Sequence, residues 1–195
     1  TQCVNQLVWG TYGFNSDQAT EIDLSGYANH ATDAAGQVTT TLPTTTVPVG
    51  GTLGTSRPWP SVGSYNGASN TIYAAHAAAA PYNLASPQVT MTAWIRPTGT
   101  VGSGIIVNKE SSYEMAMNGA NFECAIQLAS GGWAWQGSTP VSLNVWSHVV
   151  CTYSASTCKI ETWVNGVKRA SVDNASGCGN LATSASPLHV GQRPG

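Results

Sequence analysis

Two tryptophans one residue apart, Trp133 and Trp135 in Gly-Gly-Trp-Ala-Trp, are the residues whose type and spacing point most directly to chemistry. Residues two apart on an extended strand share a face, so both indoles point one way and Ala134 the other. Indoles stack on the apolar faces of sugars while neighbouring amides take the hydroxyls. Gln127, Gln136 and Tyr113 are the candidate neighbours on the same sheet. The competing reading places both indoles in the core. Glu114 and Glu123 fall on adjacent expected strands and could face one another across a sheet. A polar, solvent-facing position on each strand is the plainer reading of both. His30, His76, His148 and His189 are dispersed, and His148 lies inside an apolar strand, where a structural role is expected. No Gly-x-Ser-x-Gly, His-Glu-x-x-His or phosphate loop occurs. The residues give no positive reason to expect an enzyme.

Five cysteines without metal-ligand spacing point to an oxidising compartment and to at most two internal bridges. If the hairpin after Tyr153 turns at Ser154-Ala155, Cys151 lies opposite Cys158 within bridging distance. If it turns at Ala155-Ser156, Tyr153 takes that place and Cys158 is free for Cys178. Cys3 meets Cys124 only through a long-range contact that spacing does not supply. Asn174-Ala175-Ser176 is an N-glycosylation sequon, making Asn174 the candidate acceptor. Thr39 to Thr52 resembles an extended, O-glycosylated Thr/Pro segment or a plain surface loop.

The elements that must position these residues are strands. Leu143 to Gly166 reads as two strands and the start of a third. Val149, Cys151 and Tyr153 share one face of the first, and Trp146, His148 and Val150 fall mainly on the other. Ile160 to Val164 is the second strand, and Asn165-Gly166 is a strong type I′ hairpin signal. Trp146 and Trp163 are expected in the core. Leu7 to Phe14 is a first strand. In Val89 to Arg96, Val89, Met91, Ala93 and Ile95 share a face. A short strand within Ser64–Ala75, Gly104–Asn108, Tyr113–Met117, Phe122–Leu128, Trp133–Gln136, Val167–Val172 and Leu188–Val190 complete the set. Short strands with frequent turn signals indicate an all-β sandwich or barrel.

Composition narrows the functions. The 195 residues suit one domain, 1–195, and 42% apolar residues with seven Trp and seven Tyr suffice for a core. Charged residues are only 8%, against roughly 25% in ordinary soluble domains, so the surface is largely uncharged polar. A net charge of −2 leaves no electrostatic footprint for nucleic acid or an anionic membrane. No run of about 18 apolar residues exists, so membrane insertion is not expected. The chain opens Thr1-Gln2-Cys3 without Met, which reads as a secreted, mature form whose targeting segment has been removed.

The pieces occur in a familiar order. Asp23-Leu24-Ser25-Gly26-Tyr27-Ala28-Asn29-His30 resembles the D-x-S-G-x-x-N-H loop of laminin G-like domains. Val89–Pro97 resembles their strand ending A-W-I-x-P. Ile105–Glu110 with Tyr113–Asn118, Trp146–Val149 with Trp163–Gly166, and Leu188–Gly191 are similar to further segments of that family. The resemblance covers nearly the whole chain. It implies the concanavalin A-like fold, an antiparallel two-sheet jelly-roll sandwich. It also implies a structural Ca²⁺ near the Asp-x-Ser-Gly loop, held by Asp23, Asn29 and backbone carbonyls, with Asp17 a weaker candidate. An Asx-turn at Asp23 is the alternative. Some glycoside hydrolases of this fold carry E-x-D-x-E on a strand. Glu21-Ile22-Asp23 departs from it, with Ser25 at the third position.

The family's usual last strand, beside the N-terminal strand, is not in this sequence. Three explanations follow: a longer parent chain, a gap filled by the Cys3–Gln6 extension, or a strand donated by another copy. The resulting expectation is a non-catalytic extracellular module binding a glycan or a cell-surface partner. The alternatives are a structural subunit of a filament or other assembly joined by strand exchange, and a carbohydrate-active enzyme of jelly-roll fold.

Overall fold

The computed structural model describes residues 82–173 and 177–193, with backbone only at 101–103, 138 and 172–173, and the backbone of seven short strands before them. Those seven are β1 (Thr20–Glu21), β2 (Ala31–Asp33), β3 (Thr39–Thr41), β4 (Val47–Pro48), β5 (Ser56–Arg57), β6 (Val62–Ser64) and β7 (Ile72–Ala74). The longer strands are β8 (Gln88–Ile95), β9 (Val101–Lys109), β10 (Tyr113–Gly119), β11 (Asn121–Gln127), β12 (Trp133–Pro140), β13 (Ser147–Ser154), β14 (Lys159–Val164) and β15 (Val167–Asp173). The short β16 (Leu188–Val190) closes the series. Every regular element among the described residues is a strand, as the turn spacing predicts. No helix there is long and apolar enough to cross a membrane.

Two antiparallel sheets form the sandwich. The large one runs β1-β2-β7-β16-β9-β10-β11-β12 and the small one β15-β14-β13-β8. Two further pairs, β3-β6 and β4-β5, stand apart. Alternation along each strand sets the inner faces. In β13, Ser147, Val149, Cys151 and Tyr153 are buried and their neighbours are not. Val89 and Met91 of β8 do the same. Across from them β10 and β11 contribute Tyr113, Met115, Met117, Phe122, Cys124 and Ile126. The Thr139 and Thr162 hydroxyls bond at 2.8 Å between the sheets, so neither is left unsatisfied in the core.

Asn165-Gly166 makes the expected turn: φ is 52° and 77°, and Val164 pairs with Val167. The turn before it differs from both sequence alternatives. Ser154 pairs with Lys159, leaving a four-residue loop with Cys158 in the left-handed region at φ 54°. Cys151 therefore opposes Thr162, not Cys158, and the Cys151–Cys158 bridge is excluded. Cys158 bonds Cys178, the pairing left open when Cys151 does not face it. Cys124 bonds Cys151 instead of Cys3, tying β11 to β13 through the core with a Cα–Cα distance of 6.0 Å. Spacing missed this pair because its partners sit on opposite sheets.

Trp163 and Trp146 are not core residues. Trp163 pairs with Val150 and Lys168 on the face of the small sheet turned away from the core, and both indoles are only half-buried. The strand expected at Leu7–Phe14, the slot beside it, the ligands Asp17, Asp23 and Asn29, and Asn174 lie outside the described residues.

Candidate functional site

The outer face of the large sheet gathers the polar and aromatic groups. Trp135 pairs with Ala125, and Glu114 pairs with Ala125 from the other side. Ala116 pairs with Glu123. Ala116 and Ala125, 2% and 0% exposed, make a floor of small side chains over which longer ones can lie. Trp133 and Trp135 stand side by side at its edge, with ring centroids 6.1 Å apart and planes 35° from parallel. Ala134 is buried on the opposite face, and Trp135 is 43% exposed. The pair is therefore a shelf on the surface, because the strand's alternation sends Ala134 inward and the indoles out.

Arg193, three residues past β16, reaches this face. Its Nε and Nη2 donate to Glu114 Oε2 and Oε1, each at 2.8 Å. The guanidinium lies 6.0 Å from the Trp135 ring centroid. Glu114 is fully buried, and its Oε2 also accepts from Asn108 Nδ2 at 2.6 Å. The hydrogen bond to Glu114 raises the Arg193 pKa further, against a smaller opposing effect of burial. His189 pairs with Asn108 on the neighbouring strand and shares this face. Its pKa is lowered, chiefly by burial and then by Lys109.

The sequence candidates divide. Trp133, Trp135 and Gln127 come together, since Gln127 pairs with Trp133 in register. Gln127 Oε1 is buried without a hydrogen-bond donor among the described residues. Tyr113 does not join them. It alternates inward with Met115 and Met117, is 5% exposed, and donates its hydroxyl to Tyr82 O at 2.8 Å. Gln136 pairs with Cys124, so it points to the inter-sheet side, and its Nε2 donates to Gly137 O. Glu114 and Glu123 do share a face, but they are offset along it, not opposed. Glu114 is neither solvent-facing nor available, being held by Arg193 and Asn108.

Arg193 and Asn108 are the members that sequence reasoning missed. Asn108 carried a usable signal, a polar residue at an alternating position inside Gly104–Asn108. Arg193 carried none, since its partner is 79 residues away. His148 is half-buried beside Trp94, with centroids 5.2 Å apart, and burial lowers its pKa, in keeping with a structural role. Among the described residues no group of three His, Cys, Asp or Glu is arranged to hold a metal ion.

Known structures share this architecture at low identity. The binding domain of Paraclostridial Mosquitocidal Protein 1 superposes with TM-score 0.62 at 17% identity, covering 95% of this chain and 44% of that one. The ligand binding domain of botulinum neurotoxin serotype D, solved in complex with N-acetylneuraminic acid, gives 0.59 at 13%, covering 94% and 42%. The serotype G binding domain gives 0.58 at 13%, covering 87% and 40%. The chain thus spans less than half of each of these domains. No curated protein matches the sequence. A family model, Laminin_G_3, described as the concanavalin A-like lectin/glucanases superfamily, matches residues 66–195. With that match across most of its length, and with the motif order and two-sheet architecture already in place, the chain belongs to the laminin G branch of the concanavalin A-like lectin/glucanases superfamily.

Proposed function

We propose that this chain is a non-catalytic, extracellular recognition module that holds a glycan against the outer face of its large sheet. The observation that carries this reading is the outward indole shelf of Trp133 and Trp135, bordered by an arginine whose position is fixed by a buried carboxylate. Flat apolar plates beside oriented donors and acceptors are what a sugar ring needs. Two disulfides support an oxidising compartment. The absence of catalysis is supported by the engagement of Glu114, which leaves no poised pair of carboxylates among the described residues of this face. N-acetylneuraminic acid bound to the serotype D domain supports sugar binding only as an analogy, since this chain covers 42% of that one.

The test is a glycan array followed by calorimetry on any hit, with Trp133→Ala and Trp135→Ala alongside the parent chain. Each substitution is expected to weaken binding by about 1–3 kcal/mol, the scale of truncating an anchoring aromatic. Binding that ignores both changes, or no binding to any glycan, contradicts the reading.

A further inference from the structure

We propose that the sugar taken by this face is neutral, and that the site discriminates against acidic glycans carrying sialic or uronic acids. This rests on the glycan reading above and specifies its ligand class. A guanidinium on a sugar-binding face ordinarily recognises a carboxylate through its two-pronged edge. Here the Nε–Nη2 edge of Arg193 is occupied, since both nitrogens donate to Glu114, and the charge that the remaining Nη1–Nη2 edge presents is already balanced by that carboxylate. A ligand carboxylate cannot displace Glu114 without stranding a fully buried charge, which costs far more than a half-exposed ion pair contributes.

Among the described residues the remaining charges on this face are acidic. Glu110 lies at the end of β9 with Oε2 accepting from Asn108 Nδ2 at 3.2 Å. Glu123 Oε1 accepts from Asn118 Nδ2 at 3.0 Å. Neither forms a direct ion pair with a cation among the described residues, although Glu110 lies near enough to Arg193 to help raise its pKa. Glu123 stands two positions from Ala125, the residue opposite Trp135, so its carboxylate flanks the shelf. Gly137 makes room for it, because a Cβ there would lie 3.1 Å from Glu123 Oε1. Among the described residues this face thus sets Glu110, Glu114 and Glu123 against Arg193. Lys109 is turned to the inner face, Arg96 follows β8 of the small sheet and donates its Nε to Asn144 O, and Lys159, Lys168 and Arg169 belong to the small sheet. A neutral sugar meets no repulsion and can donate hydroxyl hydrogens to Glu110 and Glu123, the two carboxylates that Arg193 does not hold. An acidic sugar meets repulsion from each.

The experiment prints matched pairs on one array, each neutral oligosaccharide beside its sialylated or uronate-capped form. Each carboxylate without a cation within about 7 Å of the acidic sugar weakens it roughly threefold in a water-like dielectric, so two give about tenfold at low salt. That ratio is expected to shrink at about 0.5 M NaCl, where charges are screened within a few ångströms. Glu123→Gln is expected to shrink it by roughly threefold. Glu114→Gln should shrink it further by releasing Arg193, but it alters a buried pair, so Glu123→Gln is the deciding variant. Equal or tighter binding of the acidic members overturns the inference while leaving the glycan reading intact. So does a ratio unmoved by both salt and Glu123→Gln. Failure of both members of every pair to bind overturns the glycan reading, and the inference falls with it.

Discussion

Arg193 and Glu114 form a two-pronged ion pair across the outer face of the large sheet, both contacts at 2.8 Å, although 79 residues separate them. The pair joins the stretch after β16 to the middle of β10. Its two ends are unequal: the Glu114 side chain is 0% exposed and that of Arg193 47%. Arg193 can be lost to water, but Glu114 cannot be left without a partner.

Arg193→Ala is therefore expected to destabilise the fold by about 2–3 kcal/mol, below the full penalty for a wholly buried pair because the arginine is half in solvent. Urea melts with a shared m-value measure it. Adding Glu114→Gln to Arg193→Ala should recover part of the loss, since the buried charge is then gone. A double variant no more stable than Arg193→Ala would mean that the carboxylate was not the group being stranded.

Much of the sandwich is legible because its strands obey a period of two. Val89 with Met91, and Val149 with Cys151 and Tyr153, read as shared strand faces and prove to be the buried ones, and Trp133 and Trp135 read as one face and are one face. The Asn165-Gly166 turn is legible from two residues because so few types tolerate positive φ at both. Tyr113 shows where residue type misleads. It shares a parity with Met115 and Met117, and that alternation, not its aromatic ring, decides its face. Gln136 departs for the same reason, since it alternates with the very tryptophans beside it. The Cys124–Cys151 bridge and the Arg193–Glu114 pair are illegible in principle from spacing. Each depends on which sheet, and which neighbour within it, a distant segment joins.

The two disulfides differ in accessibility, and their chemistry should follow. Cys124 and Cys151 are 0% exposed, whereas Cys178 is exposed and Cys158 half-buried at the loop. Mild reductant with alkylation and mass spectrometry should label Cys158 and Cys178 first, with the fold retained. Cys124 and Cys151 should be labelled only as the domain unfolds. Replacing that inner pair by serines is expected to cost about 3–4 kcal/mol from loop-closure entropy alone, for a separation of 27 residues. Early labelling of Cys124 in a folded sample would contradict this order.

Acid stability should carry the mark of two histidines. Burial lowers the pKa of His148 and, with help from Lys109, of His189, so each stays neutral in the fold at a pH where the unfolded chain takes a proton. Each thus contributes stability that is complete above the ordinary value of 6.5 and is lost as pH falls through the folded value. The melting midpoint is expected to drop between about pH 7 and pH 5. His148→Gln and His189→Gln should each flatten that fall. A slope identical in both variants would place the acid sensitivity elsewhere.

Lys109 gives the opposite end of the pH scale. It sits on the inner face of β9, opposite Tyr113, fully buried, and its Nζ donates to Ser184 O at 3.0 Å and to Ser186 O. The Tyr82 ring lies 5.4 Å away. Burial pulls the ammonium pKa down from 10.5 to about 8. Between those two values the unfolded chain holds a proton that the folded chain has shed, so stability rises with pH across that window. Below about 8 both states are protonated and the gain is absent. Tyr82 works against it at the top of the range, because burial raises its phenol above the ordinary value of 10.0 and its contribution is lost as pH climbs through the raised value. The comparison therefore belongs between about pH 7.5 and pH 9.5, where the lysine is the shifted group among the described residues. The parent chain is expected to gain stability over that interval in urea melts. Lys109→Met, which keeps the length and apolar stem but cannot titrate, should show a flat profile. A parent chain that is equally flat would mean the carbonyls of Ser184 and Ser186 hold the ammonium charged throughout, outweighing its burial.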